Sequence, residues 1–223
     1  MIGTLVNTVA IIIGGSVGSI IGNKLKEKYK NVAMQGISLA VLLIGFKMAL
    51  GTSNVSIIIF SLLLGGLIGE FLKIETRLNN IGKWFEKRLK GQGRIAEGFV
   101  QCSLIYCVGA MAIMGAIQDG LLNDPSTLYA KSMLDGFTAV AFSSTLGIGV
   151  ILAALPVLIY QGSITLLAGL LKPLLTDPVI TEMTATGGIL IVGIGINLLE
   201  IADIKVGNLL PAIIVAVVLT SIL

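Results

Sequence analysis

The sequence predicts an all-α membrane protein, a polytopic helical bundle of about eight spans. Three observations carry that reading. First, 55% of the 223 residues are hydrophobic and only 12% are charged, with a mean hydropathy of +1.00. Soluble domains carry about 25% charged residues, and a soluble chain of this size could not hide so much apolar surface. Second, glycine is abundant, at 28 residues, while proline is scarce, at five; membrane helices use glycine for close backbone approach. Third, apolar runs of spanning length recur along the chain, separated by short polar breaks.

The first run, 3–22, lacks a basic leader and reads as a retained span, not a cleaved signal. Runs at 33–51 and 54–72 follow, then a charged stretch, 73–97, and a fourth span at 98–117. A polar loop is expected from Gln118 to Lys131. The apolar segment 134–172 is too long for one span and too short for two full ones. It divides into a short or re-entrant helix at 134–148 and a span at 150–171, which puts Pro156 in an early turn, where proline costs least. Spans at 184–200 and 205–222 complete the chain. The whole is one transmembrane domain, 1–223. It comprises a three-helix unit (1–72), a basic linker (73–97), central polar helices (98–148) and a second three-helix unit (150–223).

Basic residues set the direction. With the N-terminus outside, Lys24, Lys26, Lys28, Lys30, Lys73, Arg77, Lys83, Lys87, Arg88, Lys90, Arg94 and Lys205 all face the cytoplasm. The outer loops hold only Lys131 and Lys172, and Lys47 lies within a span. This is the bias expected in a bacterial inner membrane. Asp119, Asp124, Asp135, Asp177 and Glu182 fall on the outer side, either as an acidic face that concentrates cations or as ordinary solvated charges. In the stretch 74–90, Ile74, Leu78, Ile81, Phe85 and Leu89 recur at helical spacing with Trp84 beside them and basic residues around them. An interfacial helix on the anionic leaflet is expected there; a nucleic-acid surface is not.

The segments 36–69 and 186–219 align as two hairpins, with Gly45 on Gly195 and Lys47 on Asn197. Spans one to three then match spans six to eight. An odd offset in span number gives the copies opposite orientation, the inverted repeat of secondary transporters.

Gly14, Gly18 and Gly22 line one face of the first span, and Gly65 and Gly69 one face of the third. These grooves serve helix packing, within the chain or in a homodimer. Candidate substrate- or ion-binding residues cluster in the centre: Gln118 and Asp119 at the end of span four, then Asp135, Thr138, Ser143, Ser144 and Thr145 along span five. A short helix leaves its end in a cavity or buried in protein, so these residues are expected to line a polar cavity; the plainer reading is capping by Asp135 and Gly120. Asn7, Gln35, Lys47, Gln101, Asn197 and Glu200 are further polar residues in or near spans. Asn197 is the deepest of them and is the one retained as a candidate. Histidine is absent, and Cys102 and Cys107 point apart on one helix, so no metal site, disulfide or cofactor is expected. No phosphate-binding or hydrolase motif is present.

The strings CVGAMAIMGAIQDGL at 107–121, LDGFTAVAFSSTLGIGV at 134–150 and GTLVNTVAIIIGGSVGSIIG at 3–22 resemble the bacterial membrane family labelled domain of unknown function 554, which includes the YqgA-like and YdfK-like proteins. The resemblance covers the whole chain and implies an inner-membrane, multi-span protein, without implying a substrate. The leading expectation is therefore a non-enzymatic, dimeric secondary transporter or channel for an ion or small polar solute, with its site between the repeats. The alternative is a membrane scaffold or sensor using the basic segment 73–94. An intramembrane enzyme, with Ser143 or Ser144 served by Asp135, comes third, since no histidine or nearby lysine supports it.

Overall fold

In lipid every backbone amide and carbonyl must be paired within its own segment, and the apolar runs fold accordingly as helices. A computed structural model describes residues 1–22, 24, 26–78, 80, 95–108 and 110–222. The helices are α1 (Ile2–Gly22), α2 (Glu27–Ala49), α3 (Val55–Leu72), α4 (Ile95–Cys107), α5 (Ala110–Leu122), α6 (Ser126–Leu146), α7 (Gly149–Leu152), α8 (Ala154–Leu166), α9 (Ala168–Leu171), α10 (Asp177–Leu198) and α11 (Pro211–Ile222), with a 3₁₀ turn at Val206–Leu209. Among the described residues, five stretches are long and apolar enough to cross a membrane: α1, 31–49 within α2, α3, α7 with α8, and α10. The pair α4–α5, bent by 60°, makes a sixth if it is one span. Most of the basic interfacial helix expected over 74–90 lies outside the described residues.

Two expectations are corrected. The short helix expected at 134–148 begins eight residues earlier, at Ser126, and runs 21 residues. At about 1.5 Å per residue that is roughly 31 Å, enough to cross the hydrocarbon core. Of the polar stretch read as loop, 123–125 is non-helical, but Ser126 to Lys131 joins the helix, where Lys131 and Asp135, one turn apart, neutralise each other. The helix ends at Gly147, whose φ of +75° is a conformation L side chains rarely adopt. The fourth span, expected as one helix at 98–117, is broken after Cys107 into α4 and α5. A second break, between α7 and α8, has a plain cause: Pro156 has no N–H to give the carbonyl of Leu152, and its ring crowds the preceding turn.

Glycines fix the helix pairs. A Cβ on Gly14, Gly18 or Gly22 of α1 would stand 2.2, 2.2 and 2.3 Å from the carbonyl oxygens of Gly136, Val140 and Ser144. The constant offset shows α1 and α6 running parallel, backbone against backbone. On α3, Gly65 meets Ala212 and Gly69 meets the carbonyl of Asn208, so α11 runs antiparallel to it. Gly45 of α2 meets Val192, and Gly195 of α10 meets Leu42, again antiparallel. All five predicted groove glycines are thus filled by this chain's own helices, and homodimerisation does not follow from them. The interior between the pairs holds Ile11, Phe142, Leu146, Leu190 and Ile194. Ile13 and Ile20 of α1 and Leu63, Leu67 and Phe71 of α3 point outward into lipid.

The acidic outer face is also corrected in part. Asp124 and Asp177 are exposed, but Glu182, Asp119 and Asp135 are buried. Asp124 accepts from the amide and hydroxyl of Ser126, which hold its carboxyl below the ordinary carboxylate value. Glu182 accepts from the Thr52 hydroxyl at 2.6 Å and from the amides of Ser53 and Asn54 at 2.7 and 3.1 Å. It thereby ties α10 to the α2–α3 turn. Hydrogen bonds to a charged group contribute about 1.5–3 kcal/mol each. Glu182→Ala, which takes the acceptor from the Ser53 amide and the Thr52 hydroxyl while the Asn54 amide keeps the Thr52 oxygen, is therefore expected to destabilise the chain by about 2–4 kcal/mol, read as a lowered thermal midpoint in detergent. An unchanged midpoint would show that the tie carries no stability.

Candidate functional site

Polar side chains from three helices meet in the interior near one end of α1. Lys131 and Asp135 lie on the same face of α6, one turn apart, and the Lys131 Nζ donates to Asp135 Oδ2 at 2.6 Å. Asn7 of α1 donates through Nδ2 to the same oxygen at 3.0 Å and to Gln161 Oε1 of α8 at 3.2 Å. Lys131 and Asp135 are each 6% exposed, and Asn7 and Gln161 are wholly enclosed. A buried ion pair in a membrane interior is expensive unless each charge is well partnered. Here one carboxylate oxygen takes two donors.

The hydrogen-bond chain has one consistent orientation. With Asp135 ionised, its Oδ2 and Gln161 Oε1 only accept, so the amide group of Asn7 faces both, and its two hydrogens are then spent. That leaves Asn7 Oδ1, an acceptor, and Gln161 Nε2, a donor, buried without partners. Each such group costs about 1–3 kcal/mol, and apolar side chains would avoid that cost.

The polar group continues toward the start of α1. Thr4 and Thr165 bring their hydroxyl oxygens to 3.4 Å. Asp119, 3% exposed, accepts from the amide of Gly3 at 3.1 Å, and the nitrogen of Met1 lies 2.8 Å from the same oxygen. From Gly3 to Asn7 is about 6 Å of helix rise. In the other direction Ile11 is fully buried, and the glycine contacts at Gly14, Gly18 and Gly22 close the interface. The polar groups therefore run as a file toward the Asp119 end, while the α1–α6 interface is closed beyond Asn7.

Asp119 and Asp135 both reach this file. Gln118 turns aside and accepts from Thr127 at 2.7 Å. The hydroxyls of Thr138, Ser143, Ser144 and Thr145 donate to carbonyls of their own chain, at Leu134 or Asp135, Gly147, Ala141 and Phe142 respectively. They stabilise the helix and its end; none joins the acids. Asn197 is far along the chain's other polar region. Both atoms of its amide clamp Ile204, at 2.7 and 2.8 Å, and it borders a cavity of about 610 Å³ with Gln101 and Asp203. A lysine does stand beside Asp135, contrary to the sequence reading; Ser143, the serine that would need it, is bonded to Gly147. Among the described residues no group of three or more cysteine, aspartate or glutamate side chains is placed to hold a metal ion, and both cysteines are free.

Sequence reasoning missed Lys131, Gln161, Thr4 and Thr165, and noted Asn7 without placing it. The four-residue spacing of Lys131 and Asp135 was a usable signal once the segment was read as helix. The convergence of α1 and α8 on that pair was not visible in spacing.

Comparison with known proteins agrees with this architecture. The family model described as "Protein of unknown function (DUF554)" matches residues 2–221. The chain is 35% identical over 219 residues to the "Uncharacterized membrane protein YdfK" of Bacillus subtilis (strain 168), covering 96% of this chain and 93% of that protein. It is 33% identical over 229 residues to the "Uncharacterized protein YqgA" of Escherichia coli (strain K12), covering 99% and 97%. No solved structure matches the chain. By a family match that spans nearly its whole length, this helical membrane protein belongs to the DUF554 family.

Proposed function

We propose that this chain is a secondary transporter or channel for an ion or small polar solute, set in the inner membrane with its N-terminus outside. Its site is the group formed by Asn7, Lys131, Asp135 and Gln161. The observation that carries this reading is the pair of unpartnered, fully buried amide atoms beside a buried ion pair. Intramembrane charges mark substrate and ion pathways, and a solute or water could supply the contacts that an unmet donor and an unmet acceptor lack. The architecture supports it too. The helices paired by the internal alignment, α2 with α10 and α3 with α11, lie antiparallel against each other, as members of inverted repeats do. The bent α4–α5 span resembles the broken helices of transporter sites.

The test is reconstitution of the purified full chain in phosphatidylethanolamine and phosphatidylglycerol liposomes, with currents recorded on concentration jumps of monovalent cations, inorganic anions, carboxylates and amino acids. Asp135→Asn is expected to lower any current at least tenfold, and Asp119→Asn, at the mouth of the polar file, to lower it less. Undiminished currents in both variants would remove these acids from the pathway.

A further inference from the structure

We infer, building on the transport reading above, that the coupling ion is the proton and that Asp135 is the group that binds it. The ligands at the site decide between ions. Lys131 and Asp135 cancel, and the Lys131 ammonium occupies the position against Asp135 Oδ2 that a metal cation would take. A metal cation adds at least the one positive charge that a proton adds, and would also have to displace an ammonium tethered one turn away and gather several oxygen ligands. A proton needs no displaced ligand and no cavity. It passes from water to a carboxylate oxygen of Asp135 and leaves a neutral acid beside an ammonium that has lost its counter-charge and is free to swing away.

The groups facing Asp135 fit this role. On α6 the charged neighbour is Lys131; α1 offers Asn7 and α8 offers Gln161, neither of which titrates. From α4, the thiols of Cys102 and Cys107 and the phenol of Tyr106 lie within electrostatic reach. Thiols and phenols are ordinarily uncharged at neutral pH, so Asp135 and Lys131 are the groups there whose charge can change the balance. Between Asp119 and Asn7 along α1 stand the paired Thr4 and Thr165 hydroxyls, the latter donating to the Gln161 carbonyl. Hydroxyls both donate and accept and can relay a proton. The glycine contacts close the α1–α6 seam beyond Asn7, so entry along that seam is from the Asp119 end.

Infrared titration of the purified full chain in nanodiscs tests this directly, with the Asp135→Asn spectrum subtracted. Between about pH 5 and about pH 9, which brackets the range from ordinary carboxylates toward amines, the wild type is expected to gain the carbonyl stretch of a protonated, buried carboxylic acid as pH falls. Lys131→Met removes the counter-charge while leaving Asp135 enclosed, so its band is expected to persist to a pH at least about two units higher. A chain that conducts in the liposome assay while Asp135 stays ionised throughout, or a Lys131→Met band with an unmoved midpoint, would overturn the proton assignment and leave transport standing. A titrating Asp135 in a chain that moves no solute and no protons would overturn the transport reading and the coupling role with it.

Discussion

Gly18→Leu is expected to yield no folded protein recoverable from the membrane, while Gly36→Leu is expected to express and elute as the parent does. A Cβ at residue 18 would lie 2.2 Å from the Val140 carbonyl oxygen and 2.9 Å from the carbonyl carbon and Cα of the same residue. These are backbone atoms in the middle of a helix and cannot rotate away, so α1 and α6 would have to separate. The same contact repeats above and below, at Gly14 and Gly22, and a local shift has nowhere to go. Overpacking ordinarily costs about 1–3 kcal/mol even for added methylenes in a yielding core; a leucine wedged between two backbones exceeds that. Gly36 has no atom within 4 Å of its Cβ position, and a leucine there simply meets lipid. Fluorescence-detected size-exclusion chromatography of tagged variants reads the difference. Normal yield of Gly18→Leu would show that α1 and α6 are not in this contact.

The second large effect is a non-additive one. Lys131→Met alone and Asp135→Leu alone are each expected to destabilise the chain by about 3–5 kcal/mol, because each strands a charge in the interior. The double variant is expected to recover most of that loss, because apolar replacement of a buried pair is often neutral or stabilising. Asn7 would still donate to Gln161 in the double variant, so one amide contact survives. The check is a double-mutant cycle on unfolding midpoints in mixed micelles. Additive losses would mean the two charges do not depend on each other.

That cycle also bears on how the site was legible. Composition and the run lengths of apolar residues were enough for the membrane class, since lipid leaves few backbone solutions. The glycine spacing in α1 was readable as a groove, but its partner was not: Gly136, Val140 and Ser144 carry no signal that they offer carbonyls to α1. Lys131 was placed in a loop because a charge is normally kept out of a span, and the four-residue spacing to Asp135 that removes this objection counts only after a helix is assumed. The serines and threonines after Asp135 drew notice as polar atoms, yet a hydroxyl in a helix can bond its own preceding turn, and these do. Gln161 stood in an apolar run with nothing adjacent to mark it; its role comes from α8 crossing α1 at Asn7, a tertiary fact. Asn197 is half-buried, and its amide is consumed by Ile204.

The most direct measurement compares currents from the wild-type chain and from the Lys131→Met, Asp135→Leu double variant in the same liposomes, after both are shown to be folded. If the enclosed charges exist to serve permeation, the wild type conducts and the equally stable double variant is silent. Equal currents from both would mean the ion pair belongs to the architecture alone, and that whatever crosses this protein crosses elsewhere.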